Sequence, residues 1–427
     1  MERPQVRPAR IAGGGRKEAR PRRSCRGKRK GESGMNRDQL LEVLEKHGVP
    51  TFLHNMAGGG TIVAAQHGAR VLGVFPCREG RSGSAVWINT HIEAIVTGKA
   101  LDWEGEGEGG TGGDRLWVSP ERNYYYRKPQ EFGEWFCPRA MDPGSYETVE
   151  STERSVLYRN RFDLQDLLHG WTLQGAVAER CLRILDNPLA GRKSLAGVWK
   201  RVGYAGFEMA EKIEVPAPKK GISPVLCPWG LTQVPVAAPG GMGTVIVPTG
   251  RRASPIGYFG AIPPDRLRVN EDYLTFRIDA RRITKLGVLA EDLPADGPVR
   301  VAYLRPVLPD ALAAASGDLP EADIEKSDWM LIVRESEDVA RAGADAIDPA
   351  KAAPDGPRGV IQSYNSGPPG NALFGEIEIQ FLPVRKDANG AWRATAASRF
   401  LAFHGSKADM LLVASQALGL ESIDLFD

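Results

Sequence analysis

The stretch Glu376-Ile377-Glu378-Ile379-Gln380-Phe381 alternates polar and apolar residues without a break. A period of two places Glu376 and Glu378 on one face of a strand and the isoleucines on the other. Working outward from it, short apolar or alternating runs bounded by Gly, Pro, Asn or Asp recur along the chain. They include Thr61–Ala65, Val71–Phe75, Ala85–Ile88, Ser155–Tyr158, Gly243–Val247, Tyr273–Ile278, Val301–Leu304, Trp329–Val333, Val360–Ser363 and Arg399–Phe403. The segment Ala176–Leu185 fits a strand or a helix equally. With 49 Gly and 31 Pro spread over 427 residues, turns are frequent. Together these features predict a mostly antiparallel β-sandwich rather than regular βαβ alternation.

Two helices frame the strands. Asn36 is an N-cap for a helix carrying Leu40, Leu41, Val43 and Leu44, with Gly48 as its stop. Ser406 caps a C-terminal helix with Asp409 completing a capping box, and Gly419 ends it. Two segments read as surface loops. Glu104–Gly113 is acidic and glycine-rich, and no Gly-Lys-Ser/Thr follows to make it a phosphate loop. Ala340–Arg358, rich in Ala, Asp and Pro, is expected to project from the fold.

Charge is unevenly laid out. Residues 1–34 hold 12 Lys and Arg against 3 Asp and Glu, so a formal total of +2 hides a head of +9 and a body of −7. The head has almost no apolar residues, so it is expected to be a disordered basic extension, with residues 35–427 forming one domain. It reads either as a basic arm for nucleic acid or as an extension preceding a start at Met35. Nucleic acid is thus a partner only through residues 1–34. No secretory signal or membrane-length apolar run of about 18–20 residues is visible, and a cytoplasmic protein is expected, with a periplasmic one left open. The five Cys are tens of residues apart, which favours free thiols over a zinc or redox motif. The His residues show no metal-ligand spacing; no metal and no cofactor are implied. No dinucleotide fingerprint or serine nucleophile elbow is present.

Several ordered pieces carry a resemblance. They are G-G-D-R-L-W-V-S-P-E at Gly112–Glu121, P-W-G-L-T-Q-V at Pro228–Val234, Y-F-G-A-I-P-P-D-R-L at Tyr258–Leu267 and T-K-L-G at Thr284–Gly287. They continue with S-Y-N-S-G-P-P at Ser363–Pro369, F-G-E-I-E-I-Q at Phe374–Gln380 and Phe403-His404. In this order the chain resembles an uncharacterised bacterial family of the galactose mutarotase-like β-supersandwich superfamily, over roughly residues 50–425. The resemblance implies that fold, with a sugar or sugar acid bound on a concave sheet face. Fold alone does not name the reaction, since this architecture also hosts hexose-6-phosphate epimerases, polysaccharide lyases and domains of glycoside hydrolases.

Ile377-Glu378-Ile379-Gln380-Phe381-Leu382-Pro383 is similar to the Leu-Glu-Thr-Gln-x-x-Pro stretch that carries the catalytic base of aldose mutarotases. The resemblance therefore makes Glu378 the base, with Glu376 beside it; two carboxylates on one face raise one pKa, as acid–base work requires. The His-x-Tyr-Phe-Asn segment that supplies the mutarotase acid has no counterpart here. His404, Lys285 and Tyr364 are the substitutes, although Lys285 lies in a basic run of the kind that forms a solvated face. Arg115 can orient a ligand with its planar fork, Trp117 and Trp229 can stack on a pyranose, and Glu121, Tyr364 and Asn365 can bond sugar hydroxyls. Three functions follow: an aldose 1-epimerase-like isomerase or other carbohydrate-active enzyme, a lyase or hydrolase included; a non-catalytic glycan-binding protein on the same fold; or, through the head, a nucleic-acid protein.

Overall fold

The computed structural model describes residues 35–77, 83–99, 110–216, 221–236, 243–308, 327–340, 347–367 and 374–426. The basic head, residues 104–109 of the acidic loop and residues 341–346 lie outside them. All described residues belong to one compact unit, Gly31–Asp427.

Two large antiparallel sheets dominate the described residues. The first has nine strands in the spatial order Thr51–Asn55, Thr61–Ala65, Arg70–Phe75, Asp114–Ser119, Cys227–Pro235, Phe374–Gln380, Gly359–Asn365, Thr284–Leu289 and Ile256–Gly257. The second is built around Gly243–Pro248, Val299–Val307, Asp328–Ser336, Trp392–Ser406, Gly203–Val215, Trp171–Ile184 and Ser155–Asp166, with shorter strands at its edges. The mostly antiparallel β expectation is met. The ambiguous segment Ala176–Leu185 falls in the strand Trp171–Ile184, paired on both sides. Ala85–Ile88 is corrected: it forms no strand, because its backbone bridges outward, Ala85 N–H to Val74 O (2.7 Å) and Trp87 N–H to Gln233 O (2.8 Å).

Alternation explains the layering. Leu116, Val118, Ile361, Ile377 and Ile379 share a core with Phe207, Val245, Phe276, Met330, Ile332 and Phe400 of the second sheet. The next residues along the second-sheet strands, such as Ile246, Leu304, Leu331 and Phe403, form a second core with Met410, Val413 and Ala414 of the C-terminal helix Lys407–Leu418. Leu40 and Leu44 of the helix Arg37–Lys46 pack on Val63, Leu72 and Phe75 of the first sheet.

The helix starts follow the sequence in one case fully and in the other by half. Asn36 and Gln39 make a reciprocal capping box. Ser406 accepts from Asp409 N–H, but the Asp409 carboxylate takes the Ser406 hydroxyl (3.0 Å) and Arg201 (3.1 Å) instead of returning to the cap backbone. Gly419 closes that helix at φ 75°. Cys77, Cys137, Cys181 and Cys227 form no disulfide with one another. No helix among the described residues is long and apolar enough to cross a membrane.

Candidate functional site

Five neighbouring strands of the first sheet deliver one polar face. Residues directly opposite one another in a ladder share a face. Trp117 lies opposite Trp229, and Trp229 opposite Gln380. Arg115 lies opposite Leu231, Leu231 opposite Glu378 and Glu378 opposite Gln362. Gln233 lies opposite Glu376, Glu376 opposite Tyr364 and Tyr364 opposite Lys285. The intervening residues face the inter-sheet core, among them the apolar Leu116, Val118, Ile361, Ile377 and Ile379.

The motif at Gly112–Glu121 shows how the local sequence builds this. Gly112 and Gly113 have φ of 96° and 78°, and an added Cβ would sit 2.4 Å from Trp87 O and Val71 O respectively. Only glycine lets the chain enter the sheet there. The next two side chains then point to opposite faces. Asp114 turns inward, accepting from Arg180 Nη2 (2.5 Å) and the Thr232 hydroxyl (2.7 Å), with Arg334 at 3.5 Å. Arg115 turns to the polar face and donates to Glu376 Oε1 at 2.7 Å. Its guanidinium lies 4.4 Å over the Trp117 ring, whose Nε1–H donates to Asp142 (2.6 Å). Asp142 also receives both carboxylate-directed bonds of Arg70 Nη2, at 2.7 and 2.6 Å.

Glu378 is fully buried. Its Oε2 takes a hydrogen bond from Trp229 Nε1 (3.1 Å) and an ion pair from Lys285 Nζ (3.1 Å). Its Oε1 has no hydrogen-bond partner among the described residues, and neither do Gln362 Oε1 and Gln380 Nε2 beside it. The Lys285 ammonium also sits 4.7 Å over the Trp229 ring and 5.4 Å over Tyr258. Gly287 makes room for Tyr258, since an added Cβ would lie 2.4 Å from Tyr258 Cε2. The Tyr258 hydroxyl accepts from Gln362 Nε2 (2.9 Å) and donates to Asp348 O (2.9 Å).

Four carboxyl groups surround one ammonium. Burial, opposed by Lys285 and aided by Glu376, pushes the Glu378 carboxyl up to about 7. Burial, aided by Glu121 and opposed by Lys285, pushes Asp348 up to about 8. Burial disfavours a charged Lys285, but Glu378, Glu121, Asp348 and Glu376 outweigh it and its pKa rises. Lys285 thus stays charged while two neighbouring carboxyls titrate near neutrality. Such perturbed groups cluster at functional sites.

Arg115, Trp117, Trp229, Lys285, Glu376, Glu378 and Tyr364 therefore meet on one face, with Glu121 above them. The Glu121 side chain accepts from Trp135 Nε1 (2.6 Å), and its backbone N–H donates to Asp348 (2.8 Å). Lys285, a candidate despite its basic run, is buried rather than on a solvated face and pairs with Glu378 across the sheet. Asn365 is corrected too. It points to the other face and its side chain fixes the turn after Ile278, accepting from Asp279 and Ala280 N–H and donating to Arg282 O. His404 stands on a strand of the second sheet, opposite Gly203 and Met330 and 3.7 Å from Asp328, and is not brought to Glu378. The expected projecting loop is corrected in part: Ile347, Asp348 and Ala350 are buried, held by Tyr258, Glu121 and an Arg358 bond to Ile347 O, whereas residues 351–358 are exposed or half-buried. The sequence reading missed Asp348, Tyr258, Gln362 and Gln380; only Gln380 carried a signal, the same period of two as Glu376 and Glu378. Among the described residues no group of three or more His, Cys, Asp or Glu is placed to hold a metal ion.

No curated protein matches the sequence. Among solved structures the chain is similar to a galactose mutarotase-like protein from Lactobacillus casei ATCC 334, with 10% identity, a TM-score of 0.41, and 83% of this chain and 100% of that one covered. It is also similar to the GalM/aldose epimerase homologue from C. elegans, with 10% identity, a TM-score of 0.37, and 84% and 99% covered. A galactose mutarotase related enzyme from Lactobacillus acidophilus gives 9% identity, a TM-score of 0.33, and 88% and 100% covered. Arg115, Trp117, Glu121, Trp229 and Lys285 all fall within residues 37–295, the stretch matched by the model of a family of unknown function, DUF6786, and the chain belongs to that family.

Proposed function

We propose that the polar face of the first sheet is a proton-transfer site for a sugar or sugar acid, of the aldose-isomerase kind. The observation that carries this reading is the burial of two carboxyls, Glu378 and Asp348, around the Lys285 ammonium, 3.1 Å from Glu378; burial pushes them up to about 7 and about 8. A general base and acid work best with pKa values near the operating pH. Glu378 takes the anomeric hydroxyl proton at the oxygen that lacks a partner. Asp348, protonated at neutral pH, returns a proton to the ring oxygen, so the ring opens with no net change in protons. Lys285 is too weak an acid for that transfer; it stabilises the negative charge that develops between the two carboxyls. Arg115 orients Glu376, and Trp229 and Trp117 supply the aromatic wall.

The test is anomer exchange followed by NMR over a panel of reducing hexoses and hexuronates. The expected result is acceleration by the wild type, reduced at least about 100-fold in Glu378→Gln and in Asp348→Asn. Unchanged exchange in Glu378→Gln would remove the assigned role. The complete burial of Glu378 favours a second reading, a non-catalytic glycan-binding protein. That reading expects saturable sugar binding with no acceleration of exchange by the wild type.

A further inference from the structure

Six large hydrophobic side chains are exposed among the described residues, and only Trp135 and Phe259 of these are aromatic. Both border the site face. The Trp135 ring lies 6.3 Å from that of Trp117, and its Nε1–H is tied to Glu121. The Phe259 ring lies 6.3 Å from that of Tyr364, edge to face, with the Lys351 ammonium 5.5 Å above it. Single exposed apolar residues are ordinary on protein surfaces. Two aromatic rings, each braced by a residue of one polar face, are not scattered in that way, and the bracing removes the cost of ordering them on binding.

Their separation follows from the sheet. Trp117 and Tyr364 stand on strands with two others between them, about 14 Å across, and the register offsets them by four residues, about 13 Å along the strands, so they lie roughly 19 Å apart. That span exceeds one pyranose ring. We infer that the site accepts a glycan chain, with one sugar unit over Glu376 and Lys285 and further units stacked on Trp135 and Phe259. This rests on the sugar reading above. It specifies a substrate class that reading leaves open, an oligosaccharide rather than a free monosaccharide.

The test is calorimetric or NMR titration of the full chain with matched mono-, di- and tetrasaccharides of the gluco, galacto, manno and uronate series. Affinity is expected to rise with chain length in at least one series. Trp135→Ala and Phe259→Ala should each weaken tetrasaccharide binding roughly threefold to tenfold, and Phe259→Ala, whose side chain holds no residue of the proton-transfer group, should leave monosaccharide binding unchanged. Both positions are exposed, so both variants should keep the wild-type circular dichroism. Equal affinity for monomer and tetramer, unmoved by either substitution, overturns the chain inference and leaves the sugar site standing. Absence of binding to every member of the panel overturns both.

Discussion

Replacing Lys285 by Met isolates the central electrostatic relation of the site. Two unit charges 3.1 Å apart attract by about 5 kcal/mol at an effective dielectric near 20, or about 4 pKa units. If reorganisation absorbs half of this, Glu378 moves from about 7 to about 9 in the variant. A carboxyl whose folded pKa is raised stabilises the fold fully below its unfolded pKa, about 4.3, and that contribution is lost as pH rises through the folded value. In the wild type the loss is nearly complete at pH 7; in Lys285→Met it continues upward. The destabilisation should therefore grow by about 2 kcal/mol between about pH 7 and 9, on top of a pH-independent loss of about 3 kcal/mol from breaking the buried pair. Urea unfolding followed by tryptophan fluorescence and by far-UV circular dichroism across that range measures it. Asp348 can add to the slope, so the same substitution in a Glu378→Gln background gives the Glu378 share by difference. A destabilisation that stays constant with pH, or is unchanged in the Glu378→Gln background, would falsify the assignment of the titration to Glu378.

Other consequences are open to simpler measurement. Asp348 has its pKa raised by burial, so its ionisation opposes folding as pH climbs from about 4 towards about 8. Asp348→Asn, which keeps an oxygen for Glu121 N–H, should gain roughly 3 kcal/mol relative to the wild type between pH 5 and 8; parallel denaturant midpoints would contradict this. Ser406→Ala removes the acceptor for Asp409 N–H and should lower the urea midpoint by an amount equal to about 1 kcal/mol, with sugar binding unaffected.

What could be read from the sequence was what repeats at short range. The alternation of Glu376, Ile377, Glu378, Ile379 and Gln380 defines a strand, its wet face and its core face before any partner is known. The same logic places Asn36 and Ser406 at helix starts. The site itself joins residues that local patterns do not connect: Arg115 and Glu376 are 261 positions apart. Lys285 looked solvent-facing because a run of Arg281, Arg282 and Lys285 carries no sign of the carboxylate that waits two strands away. Asp348 gave no signal, since Ala, Asp and Pro around it are typical of loops and its burial depends on Tyr258 and Glu121. His404 and Glu378 both lie in apolar, strand-like surroundings, and only the strand pairing shows that they belong to different sheets.

The opposite allegiances of Asp114 and Arg115 also bear on how the chain finds its register. A strand that slipped by one residue would exchange the two, presenting Arg115 to the buried guanidiniums of Arg180 and Arg334 and aiming Asp114 at Glu376. Like charges would meet on both sides of the sheet at once. Apolar strands can misalign by trading one methyl group for another, but this pair makes a one-residue slip costly. The two residues thus penalise a one-residue slip of the Asp114–Ser119 strand from both faces of the sheet at once.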